Sequence, residues 1–317
     1  MPVAAWEQAI LPARLPGLRA TALDALLHTG RWVWLRPEPP ALGAWRGLSL
    51  RHVPVALLPR SDLPVWLACR GESPSPVRPS GRAALVLAAL ERFGALFSDE
   101  LQARVGGMLE LELKHALREL VALGLVRCDG WAGLRALLQA SPSRHRHRHR
   151  RARIEDRLAE AGRWVALDRG SGADPAPWIE RMARILLQRH GIVFYELLAH
   201  EPMSPPWRAL RSAWRTMEAR GEVRMGRFVA GCSGEQYALD EAITLLQRIE
   251  AQGPDGQEWV LHAADPIHAA SLDHGQRPVR RGEWMRYRDG VLLEEGEPGA
   301  PSLRRGTMLV AASHLRA

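Results

Sequence analysis

A segment of about 40 residues occurs twice in this chain, with an offset of 97 residues and no gap. Leu90–Phe97 aligns with Leu187–Phe194, and the matches then continue along the chain. The later matched pairs are Leu101 and Leu198, Leu117 and Trp214, Leu120 and Met217, Gly124 and Gly221, Val126 and Val223, and Arg127 and Arg224. Because the register is kept over this length, both segments are predicted to adopt one supersecondary structure.

The order of elements within a copy predicts which structure that is. In the first copy, Arg82–Phe93 is an apolar-striped helix ended by Gly94, a second helix begins at Ser98 with an N-cap, and Leu109–Leu123 forms a third. Strands are predicted at Leu125–Arg127 and Leu134–Leu137. Three helices followed by a two-stranded hairpin are the order of a winged helix, a variant of the helix-turn-helix.

A partial third copy is predicted near the N-terminus. Leu23–Trp34 reads as a third helix, a glycine stop at Gly30 and a wing strand, and Leu48–Leu67 as β-rich packing around it. Because this copy lacks its first two helices, we expect the natural polypeptide to extend beyond residue 1. The fold class predicted is α+β, with tandem winged helices followed by a small β-barrel-like domain. The predicted segments are 1–78, 79–140, 141–157, 158–250 and 251–317.

The net charge of +8 is concentrated in one segment. Residues 144–153 alternate arginine with histidine and carry six positive charges, which leaves +2 for the rest of the chain. Such a run is typical of a solvated linker that contacts nucleic acid without specificity. Only one lysine is present, Lys114, and it lies outside any Gly-x-x-x-x-Gly-Lys motif, so no P-loop ATPase is expected.

The two copies differ in charge where a winged helix contacts nucleic acid. Residues 109–135 balance to zero, whereas residues 207–229 carry a net +4. The first copy is therefore interpreted as a structural spacer and the second as the DNA-binding copy. Trp207, Leu210, Trp214 and Met217 form its buried stripe. The predicted DNA-binding residues are Arg208, Arg211 and Arg215 on the helix, Arg224 and Arg227 on the wing, and Gln236 at the wing tip.

The second copy also resembles a known family. Pro206–Arg211, Met217–Leu239 and the preceding His190–Leu198 are similar to the C-terminal region of bacterial large helicase-related proteins. Four further stretches fit the same pattern: Trp6–Arg14, Asp129–Arg135, Ala263–Pro266 and Tyr287–Val291. Departures are Cys232, where the family has a large hydrophobic residue, Ile267-His268, where it prefers Leu-Asn, and residues 294–317, which match nothing.

The resemblance implies an ATP-dependent superfamily 2 DNA helicase acting in DNA repair, of which this chain would be the C-terminal module without the ATPase. Its partners would be single- or double-stranded DNA and the N-terminal helicase core of the same polypeptide. The same modules also build a class of DNA glycosylases, so excision of uracil or an alkylated base is an alternative, with Asp265 or Glu235 as the catalytic acid. A third alternative is an oligomerisation or protein-interaction scaffold, which the neutral first copy suits.

Other classes are not expected. Cys69, Cys128 and Cys232 are too few and too scattered for a disulfide framework, which favours a reducing cytoplasm. No apolar run approaches the roughly 18 residues of a membrane span. The spacing of His262, Asp265 and His268 does not suit a metal site, because alternate residues of a strand point apart. The sequence predicts no metal and no cofactor.

Overall fold

The computed structural model describes residues 1–15, 17–19, 21–37, 49–69, 78–138, 158, 161–167, 176–198, 201, 203–262, 265 and 284–296. The arginine- and histidine-rich run therefore lies outside the described residues, as does the Ile267-His268 pair. The chain forms two compact units. The N-terminal unit comprises residues 2–4 and 19–176, and the C-terminal unit comprises residues 1, 5–18 and 177–317. Residues 5–18 thus group with the end of the chain and not with the predicted segment 1–78.

The helices and strands are as follows. The helices are α1 (Val3–Ala5), α2 (Leu11–Arg14), α3 (Ala22–His28), α4 (Leu63–Ala68), α5 (Gly81–Phe93), α6 (Ser98–Arg104), α7 (Glu110–Ala122), α8 (Ala132–Leu138), α9 (Ile179–His190), α10 (Tyr195–Leu198), α11 (Trp207–Ala219) and α12 (Asp240–Gln252). A π-helical turn, Trp6–Ile10, lies between α1 and α2, and 3-10 turns cover Leu50–His52, Arg60–Asp62 and Ala176–Trp178. The strands are β1 (Trp32–Leu35), β2 (Ala56–Pro59), β3 (Val126–Cys128), β4 (Trp164–Ala166), β5 (Ile192–Val193), β6 (Arg224–Gly226), β7 (Gln236–Ala238), β8 (Glu258–His262), β9 (Trp284–Arg288) and β10 (Val291–Gly296).

The N-terminal unit opens with the partial copy. Helix α3 ends at a glycine stop, Gly30, whose φ of 72° few other residues adopt. Strand β1 then pairs antiparallel with β2, with Val33 opposite Leu58. The predicted helix, stop and strand are all present. The segment expected to be β-rich contains one strand, two 3-10 turns and α4.

The first complete copy follows in the same unit. Helices α5 and α7 pack together, and Leu113, Leu117 and Leu120 are fully buried on α7. Helix α6 begins where expected, but Glu100 caps it by accepting the Phe97 N–H at 2.9 Å, while the Ser98 hydroxyl donates to a buried carbonyl. The carboxylate is therefore the cap, and not the serine.

The wing of the first copy differs from the prediction. Residues 134–137 were expected to form a strand, but they lie in helix α8. The strand that pairs with β3 is β4, which places 35 residues between the two strands. The prediction was wrong because a short apolar run suits a helix and a strand equally, and long-range pairing decides between them.

The second copy has the same strand pairing as the first, although its wing strands are joined by a shorter segment that contains no helix. Its central strand β7 pairs with β5 and β6, so that Tyr237 lies between Val193 and Met225. In the first copy Trp164 lies between Leu96 and Cys128. Leu96 and Cys128 each precede their counterparts by 97 residues, the offset found in the sequence. The internal repeat is therefore structural.

The C-terminal unit ends in a small antiparallel sheet in the order β10-β9-β8. Leu261, Met285 and Tyr287 form its core, and Trp259 and Leu292 pack against it. Strands β9 and β10 are joined by Asp289 and Gly290, both with positive φ, as a tight two-residue hairpin requires. In the described residues this sheet is an open meander, so the barrel-like form expected for the segment is not seen there.

Candidate nucleic-acid interface

Helix α11 places three arginines in a row beside its buried stripe. Leu210, Trp214 and Met217 are buried, as predicted, whereas Trp207, expected in the same stripe, is only partly buried because it lies in the first turn of the helix. Arg208, Arg211 and Arg215 follow that stripe one position later, which on a helix turns them to the adjacent face. The side chains of Arg211 and Arg215 are 41% and 53% exposed, so both are accessible from solvent in part, while the Nε atom of Arg211 is buried.

An open groove runs along this face. It has a volume of about 540 Å³ and is lined by Arg208, Arg211, Ser212, Arg215, Thr216 and Ala219. Three positive charges lie among two hydroxyls and a methyl group. The surface can therefore pair with phosphates and donate a hydrogen bond through the Ser212 hydroxyl, while the Thr216 hydroxyl donates to the Ser212 carbonyl.

A single carboxylate faces two of these arginines. Glu235 lies 2.8 Å from Arg211 Nε and accepts a hydrogen bond from Arg215 at 2.5 Å. Tyr237 donates its hydroxyl to Glu235 at 2.9 Å. Burial raises the pKa of Glu235, but the hydrogen bonds from Arg215 and Tyr237 and the two guanidinium charges outweigh it and hold that pKa below its usual value. Glu235 is thus ionised, and its carboxylate is the anion that pairs with Arg211 and Arg215 on this face.

The Tyr237 hydroxyl is a fixed donor in the same cluster. Burial and the hydrogen bond to Glu235 raise the pKa of Tyr237 to about 12. The phenol therefore stays protonated at neutral pH. Glu235 directly precedes β7 and accepts hydrogen bonds from Arg215 of α11 and from Tyr237 of β7, so its carboxylate joins the helix to the strand.

The wing itself is braced from inside by Gln236. The side-chain amide oxygen of Gln236 accepts the N–H groups of Phe228 and Val229 at 2.7 and 2.8 Å. Its amide nitrogen donates to the carbonyls of Val229 and Cys232. Gln236 is fully buried. The expectation that Gln236 contacts DNA is therefore corrected, because its side chain is buried and its amide is used to close the wing loop.

The remaining predicted arginines are exposed. On the wing, Arg224 forms a solvent-exposed ion pair with Asp240 at 2.9 Å. Arg227 and Arg208 form no ion pair with any residue that the structure describes. The structure thus brings Arg208, Arg211, Arg215 and Glu235 together on one face, with Arg224 and Arg227 on the strand and loop that follow.

The same positions of the first copy are covered. Arg127 corresponds to Arg224 but is only 9% exposed, and burial together with the charge of Arg60 lowers its pKa. Cys128 is buried, whereas its counterpart Met225 is 46% exposed. Helix α8 packs on this strand, since a Cβ added at Gly133 would lie 2.8 Å from Cys128 Sγ. The first wing is therefore closed off within its own unit.

Asp265, the other predicted catalytic acid, lies in a different part of the C-terminal unit. Arg14 of α2 binds both of its carboxylate oxygens, at 2.5 and 2.6 Å. The Asp265 side chain is 1% exposed, and its backbone N–H donates to His262. This arrangement ties the N-terminal segment to strand β8. An acid that is buried and bound on both oxygens is placed to hold structure.

Sequence reasoning missed an aromatic group beside the arginine row. Tyr195 opens α10 and is 60% exposed, and its ring meets Trp207 edge-on with centroids 5.9 Å apart. Trp207 in turn lies 5.4 Å from Trp214. The signal available in the sequence was Tyr195 itself, which follows the buried Phe194 directly and therefore faces outward.

The described residues contain neither a group of metal ligands nor a membrane-spanning helix. In the described part of the chain, no three His, Cys, Asp or Glu side chains are grouped as metal ligands require. No helix among those residues has the length and apolar character of a membrane span.

Comparisons with known proteins agree with these observations. Two family models, both described as large helicase-related protein, winged-helix domain, match residues 172–258 and residues 1–60. The first match covers the second complete copy, and the other covers the partial copy near the N-terminus.

Two relatives align over most of the chain. The Lhr helicase/uracil glycosylase of Escherichia coli is 30% identical over 84% of this chain, and the Lhr helicase/probable uracil glycosylase of Mycolicibacterium smegmatis is 28% identical over 96% of it. The aligned part is 18% and 21% of those proteins, so the chain spans about a fifth of their length. The chain therefore belongs to the large helicase-related protein family and corresponds to part of its winged-helix region.

Proposed function

We propose that this chain is a cytoplasmic DNA-binding module of a large helicase-related protein that acts in DNA repair. Its interface is helix α11 with the following wing. The observation that carries the proposal is the row of Arg208, Arg211 and Arg215 along the open groove, because exposed guanidinium groups at helical spacing match the phosphates of a nucleic-acid strand. The ATPase belongs to the helicase core of the parent polypeptide, which is the partner of this module.

The repeat supplies a matched test of this interface. Lys114 and Arg118 of α7 occupy the positions equivalent to Arg211 and Arg215, at the same offset of 97. The double variants Arg211→Glu/Arg215→Glu and Lys114→Glu/Arg118→Glu thus reverse the same charges in the two copies. Binding of both to single- and double-stranded oligonucleotides is measured by fluorescence anisotropy over a range of salt concentrations.

The two variants are expected to differ clearly in their affinity for DNA and in its salt dependence. Losing two phosphate contacts lowers the slope of log K against log salt by about two and weakens binding at low salt by roughly 100-fold. The α7 variant keeps its affinity within about twofold. Thermal melts check that both remain folded. An α11 variant that binds as well as the unaltered protein would overturn the proposal.

A second candidate function is excision of an aberrant base such as uracil. Its support comes from the two relatives that align over most of this chain, one of which is named a uracil glycosylase and the other a probable uracil glycosylase. Of the two predicted acids, Glu235 is the one beside the arginine row, while Asp265 is buried against Arg14.

Uracil-containing oligonucleotides followed by cleavage at abasic sites test this second function. Glu235→Gln removes the charge and keeps the size, and Asp265→Asn does the same at the buried acid. If Glu235 carries the chemistry, Glu235→Gln abolishes cleavage while DNA binding is retained. Cleavage that is equal in the unaltered protein and in both single variants would contradict a role of either acid.

A further inference from the structure

We propose that Tyr195 and Trp207 form a stacking site for an unpaired nucleobase, so that the second winged helix prefers DNA with an unpaired base to a fully paired duplex. The inference rests on the proposed function, because it assumes that the strand lies along α11. It adds a substrate preference to that function.

The two rings form the outer end of an aromatic series. Trp214 and Tyr237 are buried and stack with centroids 5.3 Å apart, which makes them part of the core. Trp207 touches both, at 5.4 and 6.4 Å, and is only partly buried. Tyr195 then meets Trp207 at an interplanar angle of 87° and is largely exposed. An exposed ring supported by a fixed neighbour presents a free face at low conformational cost.

The position of this pair suits a strand that follows the arginines. Trp207 directly precedes Arg208 and lies one helical turn before Arg211. Phosphates held by these arginines would therefore place their bases beside the aromatic pair. Positive side chains tracking the backbone, with aromatic rings receiving the bases, are how proteins bind single strands without sequence preference.

The wing tip is hydrogen-bonded to α10, the helix that carries Tyr195. Ser233 donates its hydroxyl to Glu196, which follows Tyr195 on α10. This hydrogen bond fixes the wing loop beside the start of α10. The stacking site is thus framed by α10, the first turn of α11 and the tip of the wing.

The first copy has no such pair, which argues that packing does not require it. The residues 97 positions earlier are Ser98, buried and hydrogen-bonded to a carbonyl, and Glu110, an acid at the start of α7. The winged helix therefore folds without either ring. The aromatic pair occurs in the copy that also carries the exposed arginine row.

The test compares three ligands of equal length: an oligothymidylate, the same strand with an abasic residue at its centre, and a fully paired duplex. Tyr195→Ala is expected to weaken binding to oligothymidylate by about tenfold and to leave the duplex unchanged. Tyr195→Phe keeps the ring and is expected to bind as the unaltered protein does. Phe97→Ala, an exposed ring of the first copy, is the matched control and is expected to change nothing.

A second readout reports the stacking directly. A strand with one 2-aminopurine loses fluorescence when that base stacks on a ring, so quenching should be present in the unaltered protein and reduced in Tyr195→Ala. Equal losses on single strand and duplex, or no loss at all, would overturn the stacking site. The charge-reversal variants of α11 distinguish the stacking site from the proposed function. If Arg211→Glu/Arg215→Glu still binds DNA, the α11 interface itself is wrong. If that variant loses binding but Tyr195→Ala does not, only the base preference is wrong.

Discussion

The two complete winged helices share one register but differ in what covers their wings. In the first, helix α8 and strand β1 pack against β3, and Arg127 and Cys128 are buried. In the second, the equivalent Arg224 and Met225 are exposed and the wing closes on itself through Gln236. The same fold is therefore covered by neighbouring chain in one copy and left open in the other, which is what the proposed division into an internal support and a binding surface requires.

The largest difference between the copies is expected in the reactivity of a thiol at equivalent positions, namely the native Cys128 and a cysteine introduced at Met225. Burial is the main reason that the pKa of Cys128 is raised from 9.0 to about 12, so its thiolate fraction at pH 8 is on the order of 10⁻⁴. A cysteine at Met225 would be exposed and ordinary, with roughly a quarter ionised at pH 8. We expect it to react with a maleimide about 1,000-fold faster or more.

That experiment is done in a Cys69→Ser/Cys232→Ser background, and the Met225→Cys protein also carries Cys128→Ala. The sign of the pH dependence follows from the raised pKa. Neutral Cys128 stabilises the fold below pH 9, and this contribution is lost as the pH rises toward 12. Similar labelling rates for the two thiols would contradict the covered first wing.

The next effect concerns the core residues Leu117 and Trp214, which share one position of the repeat. Both are fully buried. Trp214→Ala is expected to lower the free energy of unfolding by about 3–5 kcal/mol, and Leu117→Ala by about 2–5 kcal/mol. Both values are measured by urea denaturation. Trp214→Ala should abolish DNA binding. Leu117→Ala should leave the affinity within about twofold at 25 °C if the copies act independently.

A smaller effect is expected for Gln236→Ala. The change leaves the N–H groups of Phe228 and Val229 without their acceptor, which costs about 1–3 kcal/mol locally. Hydrogen exchange at these two amides should accelerate, and DNA affinity should fall several-fold although Gln236 does not reach the surface. Unchanged exchange would contradict the role of the amide as the brace of the wing.

The smallest effect is expected for Glu235→Gln. Removing a carboxylate that faces two exposed arginines frees them for phosphate, and since exposed ion pairs contribute about 0.2–1 kcal/mol each, the affinity should rise by roughly two- to fivefold at low salt. Weaker binding in this variant would show that Glu235 positions the arginines more than it competes with the ligand.

Much of the fold was predictable because the repeat is local and periodic. The helices of both copies, the buried Leu117 and Trp214, and the glycine stops follow from spacing alone. The second strand of the first wing, β4, was not predictable. It pairs with β3 across 35 residues, and no sequence pattern between the two strands indicates that pairing. Local patterns also assigned residues 134–137 to a strand where tertiary packing selects a helix.

The candidate site was predictable in its charges and not in its contacts. Helical spacing correctly turns Arg211 and Arg215 outward. The pairing of both with Glu235 depends on the path of the wing, which spacing does not give. Gln236 was assigned to the surface because polar residues at a turn usually face water, whereas its side chain is buried. Tyr195 was overlooked because its only signal, the position directly after the apolar Phe194, does not show that Trp207 lies beside it.

The bond between Arg14 and Asp265 has a consequence for the order of folding. It joins residues that are 251 positions apart in the sequence, and residues 19–176 of the N-terminal unit are encoded between them. During synthesis the segment with Arg14 leaves the ribosome early, but its partner follows only after the other unit has been made. The C-terminal unit can therefore complete this contact only when its last part has been made, by a slow, long-range closure that a truncation of the first 18 residues would remove.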